Sequence, residues 1–139
     1  MELSLAVAAD YASTTAEGKL NILGIFDQLN APGFPLTLPQ FFVVLVLVFG
    51  PQETDRQVTV RIQLVDGKDA EIVALQGVVT TPPEIPEGRQ QGLLNQLIGL
   101  SGVSFHRHGA HRFRVFLDGL EQKPIYLYVR DASEQLHVQ

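Results

Sequence analysis

Along much of this chain apolar and polar residues alternate. In VTVRIQL, Val58, Val60, Ile62 and Leu64 alternate with Thr59, Arg61 and Gln63. That two-residue period predicts a strand with one face buried and the other in water. HRFRVFL and PIYLYVR repeat it, with Phe113, Val115 and Leu117 facing in, and Ile125, Leu127 and Val129 likewise. Near the start, Leu3, Leu5 and Val7 alternate with Ser4, Ala6 and Ala8 in a half-buried first strand. KLNILGIFDQL predicts a second, with Leu20, Ile22 and Phe26 on one side and Leu23 and Ile25 on the other.

One segment breaks the alternation. FFVVLVLVF, residues 41–49, is nine consecutive apolar residues lying between Pro39 and Pro51. It is too short for a membrane helix, which needs about 20 apolar residues. Its β-branched and aromatic content predicts a central strand. Successive side chains point to opposite faces, so Phe41, Val43, Leu45, Leu47 and Phe49 share one side and Phe42, Val44, Val46 and Val48 the other. Both sides are apolar. Leaving the second set in water would forgo on the order of 6–12 kcal/mol, comparable to the stability of a whole domain. Two covers are available: residues 82–100 folding across the sheet, or a second copy of the chain. LLNQLIGLSGVSF fits a short helical face through Leu93, Leu94, Leu97 and Ile98, but its glycines and the spacing of Leu94, Ile98 and Leu100 favour a strand. Self-association through Phe42, Val44, Val46 and Val48 is therefore the preferred cover.

Glycine and proline punctuate the rest. NAPGFPLTLP reads as an extended crossover, TPPEIPEGRQQG as another break, and Asp66-Gly67 as a tight hairpin turn. About eight strands with no credible long helix point to an antiparallel Greek-key β-sandwich, immunoglobulin-like or C2-like, with a closed barrel as the alternative. In HGAHRFRVFLDG, His111 stands where many sandwiches place a tyrosine, so its ring would cap the core while a polar atom reaches the backbone at the corner.

Composition narrows the class. With 139 residues, 45% apolar and 18% charged, the chain is one globular domain over 1–139. The absence of cysteine excludes disulfides, thiolate catalysis and cysteine-bound zinc. MELSLAVAADYAS carries Glu2 where a signal peptide carries positive charge, which favours a first strand in a cytoplasmic protein. The net charge of −5 disfavours nucleic acid. That charge is uneven: residues 88–117 hold no acid and four arginines, giving +4 against −9 elsewhere.

Taken together, ADYAS…EGKLNILGIFDQL…FP…PQFFVVLVL with VDG and GAHRFRVFLDG…IYLYV resembles an uncharacterised bacterial family of small all-β proteins, a domain of unknown function. GKLNILGIFD, residues 18–27, is its most distinctive part. The resemblance covers most of the chain and implies a Greek-key sandwich. It supplies no activity and no catalytic residue, and His111 in place of tyrosine departs from it.

Four groups of residues are chemical candidates. His106, His108 and His111 have the residue type and part of the spacing of a facial metal set, yet Gly109 interrupts them and no carboxylate adjoins. Asp66, Asp69 and Asp118 would bind calcium if their turns converged, although aspartate-glycine is first of all turn chemistry. Arg107, Arg112 and Arg114 are the candidate anion-binding surface, with Phe116 beside the last two. No nucleophile elbow, phosphate loop or carboxylate pair is present. The reading that follows is a non-enzymatic binding or assembly module without cofactor, partnered by a second copy or another protein. The alternative is a metal-dependent enzyme or metal-binding protein built on the three histidines.

Overall fold

A computed structural model describes residues 1–133 of the chain. It is an all-β sandwich of ten strands: β1 Glu2–Thr14, β2 Leu20–Phe26, β3 Gln28–Ala31, β4 Leu36–Phe49, β5 Gln57–Val65, β6 Glu71–Thr80, β7 Gly92–Phe105, β8 Gly109–Leu117, β9 Leu120–Glu121 and β10 Ile125–Asp131. Sheet 1 has the order β2-β1-β4-β7 and sheet 2 the order β3-β10-β8-β5-β6, with β9 folded back on β8. The chain changes sheet repeatedly, as a Greek key requires, and β3–β10 is a parallel pair among antiparallel ones. Among the described residues no helix is long and apolar enough to cross a membrane.

The core lies between the sheets. Phe41, Val43, Leu45 and Leu47 of β4 meet Val58, Val60, Ile62 and Leu64 of β5 and Phe113, Val115 and Leu117 of β8. Those are the inward sets expected from the alternation. Residues 92–105 form a strand paired with β4 over its whole length, from Leu36↔Phe105 to Phe49↔Gly92. The chain therefore does not fold residues 82–100 across the face of β4.

Local irregularities change several details. In β1 the register with β4 shifts between Leu3 and Leu5. Leu3 and Ala6 consequently pack on the core, whereas Leu5 and Val7 turn to the outer face, contrary to their even alternation in sequence. KLNILGIFDQL is two strands rather than one, because the chain leaves sheet 1 after Phe26 and joins sheet 2 at Gln28. β4 starts at Leu36 and runs through Pro39, where its only neighbour is β7, so the missing N–H leaves no gap in the pairing with β1. Opposite Pro39 stands Gly102 at φ +69°, and around that pair both strands exchange faces, which keeps Leu36, Leu38, Val103 and Phe105 inward. The Asp66 hairpin is present, but its left-handed residue is Asp69 at φ 61°, and Asp66 Oδ1 accepts the N–H groups of Lys68 and Ala70 instead. The two-residue turn with both residues left-handed is Asp118-Gly119, between Leu117 and Leu120.

Candidate functional site

The outer face of sheet 1 is built by four strands in register. β1 sends out Leu5, Val7, Ala9 and Tyr11, paired with Val46, Val44 and Phe42 of β4 and with Ile25 and Leu23 of β2. β7 adds Leu93 and Leu97 beside Val48 and Val44, with Asn95 between them. The only charged side chain in this array is Glu2, at the margin beside Val48.

Val44, Val46 and Val48 are already buried within a single chain, and Phe42 is half-buried. The sequence expectation that all four would face water without a partner is corrected here. Longer neighbours on both flanking strands close over the central valines. Phe42 lies edge-on to Tyr11, with ring centroids 5.5 Å apart, and over Gly99, which leaves room for it. The surface that remains exposed belongs to the flanks: Tyr11, Leu23, Ile25 and Leu93 are each more than half exposed.

The outer face of sheet 2 has different chemistry. Arg112 and Arg114 project from β8 with Phe116, and the Arg61 and Arg114 guanidinium groups lie 5.5 and 5.1 Å from the Phe116 ring centre. Arg114 donates twice to Glu121 at 2.9 Å, and that pairing holds the Glu121 carboxyl below its ordinary value. Arg112 donates to Asp69 at 3.0 Å. Arg107 stands apart in the β7–β8 turn, its Nε 4.0 Å from Asp66. The three arginines thus divide between two places, and each meets a carboxylate from outside the acid-free segment.

His111 takes the corner position expected of it. It is 1% exposed, its ring packs edge-on against Phe105 at 5.2 Å, and Nδ1 lies 3.0 Å from the Gly109 carbonyl. Nε2 is buried without a partner. His106 and His108 are exposed. Among the described residues no three His, Cys, Asp or Glu side chains form a group that could hold a metal ion. Asp66 and Asp69, in the β5–β6 hairpin, lie beside the start of β8, and Asp118 lies beyond its far end, where it accepts from the Thr59 N–H at 2.9 Å and from Arg56 at 2.6 Å. The Thr59 N–H, then Arg56, lowers the Asp118 carboxyl. The N–H groups of Ala70 and Lys68 do the same for Asp66.

Sequence reasoning missed a cleft of about 620 Å³ near His111, lined by Asp66, Ile72, Val73, Val103, His106 and Arg107 among others. The signal was faint, since its walls come from two distant stretches of the chain, 66–73 and 101–111. No curated protein matches the chain. The model of the family described as "Family of unknown function (DUF6941)" matches residues 4–130. Nearly the whole described sandwich is included in that match, and the chain belongs to this family of unknown function, DUF6941.

Proposed function

We propose that the protein is a non-enzymatic assembly module that self-associates by stacking the outer faces of sheet 1 from two copies. The observation that supports this is the face itself, charged only at the marginal Glu2, with Tyr11, Leu23, Ile25 and Leu93 exposed around a buried valine centre. Exposed apolar side chains on a face with no charge in its middle mark a surface suited to a protein partner. Sheets stack about 10 Å apart with strands near −30°, and a two-fold axis through this face would bring like residues together. Four strands about 4.8 Å apart over about eight residues span roughly 500 Å² of flat area per copy, below the roughly 800 Å² per partner of a stable complex. The dimer is therefore a weak one, formed in the micromolar range.

Sedimentation velocity across that range tests the reading. Wild type should shift from monomer towards dimer, and Leu23→Glu with Ile25→Glu should remain monomeric with an unchanged circular dichroism spectrum, because both side chains are exposed. A wild type that stays monomeric throughout, or a double variant that dimerises equally well, would refute it.

A further inference from the structure

The sandwich is closed along one side and open along the other. On the closed side the chain passes between sheets through the single residue Asp27. There β3 is only 4 residues long, and β2, with 7, carries Gly24 at φ +69°. On the open side β7, with 14 residues, and β6, with 10, are the terminal strands of their sheets and are not paired with each other. Soluble proteins ordinarily blunt long edges with charge, proline or brevity. β7 contains no charged residue and no proline, and β6 has only Glu71, at its start. The side-chain amide of Gln96 donates to the Asn95 carbonyl of β7 at 2.9 Å. Between the two edges lie two clefts. One of about 340 Å³ is walled by Leu75, Val79 and Ile98, and the 620 Å³ cleft has Arg107 and His106 in its lining.

We infer that this open side binds an extended peptide segment of another protein, which adds as a strand to the edge of β7 and places a carboxylate against Arg107 and His106. An unpaired strand edge offers alternating N–H and C=O groups, and only another extended main chain matches that pattern along its length. The apolar walls accept every second side chain of such a strand. Arg107 is about half exposed, with Asp66 at 4.0 Å as its partner, and Asp66 already accepts two backbone N–H groups. A carboxylate therefore gains a charge-assisted hydrogen bond there. A second copy pairing through its own β7 fits less well, since that strand holds no acid to meet Arg107.

The test begins with a random decapeptide library displayed on phage and panned on the full-length protein. Enriched sequences should alternate apolar residues and carry an acid or the free C-terminus at one end. Synthetic versions should protect the amides of β7 from hydrogen exchange. Gln96→Lys with Leu75→Lys should weaken binding at least tenfold, and Arg107→Ala several-fold, with circular dichroism retained. Methylating alternate peptide nitrogens should abolish binding to wild type, a readout independent of any variant's folding. Absence of enrichment, protection on β2 instead of β7, or unchanged affinity for the methylated peptide would overturn the inference. Dimers that dissociate in the Gln96→Lys, Leu75→Lys variant but persist in Leu23→Glu, Ile25→Glu would replace the foreign peptide with a second copy.

Discussion

The two outer faces of the sandwich both carry apolar side chains, and they differ in what lies over them. On sheet 2, Phe116 is flanked by the guanidinium groups of Arg61 and Arg114, and Arg114 is held in place by Glu121. On sheet 1 no charged side chain reaches the middle of the face. Branched neighbours close over Val44 from the side, while the flanking Leu23 and Ile25 remain open. One face covers Phe116 with long basic side chains, whose stems are apolar and whose heads stay in water, and leaves Val78, Tyr126 and Tyr128 exposed beside it. The other covers its valine centre with uncharged neighbours alone, and its exposed flanks, with no charge between them, favour a partner.

The sharpest way to break this contrast is to place a charge at the centre of the sheet 1 face and another on the basic outer face of sheet 2. Val44→Asp should cost roughly 3–5 kcal/mol even in dilute protein, because an unpaired carboxylate would be buried among side chains of its own chain. Gln76→Glu, on the outer face of sheet 2 opposite Arg61, should stay within about 0.5 kcal/mol of wild type. Urea unfolding of both variants decides the matter, and equal effects would mean that the valine centre is open to water.

Much of this was legible in the sequence. The two apolar sides of β4, the inward sets of β5, β8 and β10, and the corner role of His111 follow from a two-residue period and one ring-bearing position. What was not legible depends on single residues or on distant partners. The register shift between Leu3 and Leu5 reverses two side chains without altering the composition of β1. The joint change of face at Pro39 and Gly102 depends on two strands acting together. Burial of Val44, Val46 and Val48 depends on neighbours from β1 and β7 that no local pattern brings beside them. The basic segment looked unpaired because Asp66, Asp69 and Glu121 come from elsewhere in the chain.

A smaller effect is expected at Phe116. Phe116→Ala should cost roughly 1–2 kcal/mol, less than a fully buried phenylalanine, because its ring is half-buried and partly shielded by two guanidinium groups. Thermal unfolding at low protein concentration measures it, with no change in oligomeric state.

Acid should separate folding from association. The Glu53 carboxyl is lowered first by its hydrogen bond to the N-terminal ammonium, 2.9 Å away, and then by the Gly50 N–H. A carboxyl lowered in the folded state contributes stability that is fully present above its unfolded value, near 4.5 for Glu53 and 3.8 for Asp118, and is lost as pH falls through the folded value. Unfolding midpoints should accordingly fall below about pH 4.5, less steeply in Glu53→Gln. Self-association of the folded chain should remain constant from about pH 5 to 8, since the outer face of sheet 1 holds no histidine. The smallest effect is that of salt. Sodium chloride should leave the dimer nearly unchanged and sulfate should strengthen it slightly, whereas dissociation by sodium chloride would indicate an ionic interface.

The most direct measurement uses the absence of cysteine from the chain. A thiol introduced as Leu23→Cys on sheet 1, where the native side chain is 64% exposed, can be compared with Tyr126→Cys on sheet 2, where it is 60% exposed. Both should react rapidly with a soluble disulfide reagent in dilute protein. As concentration rises through the micromolar range, stacking of sheet 1 on sheet 1 predicts that labelling of Leu23→Cys slows several-fold while that of Tyr126→Cys does not. Rates that remain equal at every concentration, or protection of Tyr126→Cys instead, would contradict self-association through the outer face of sheet 1.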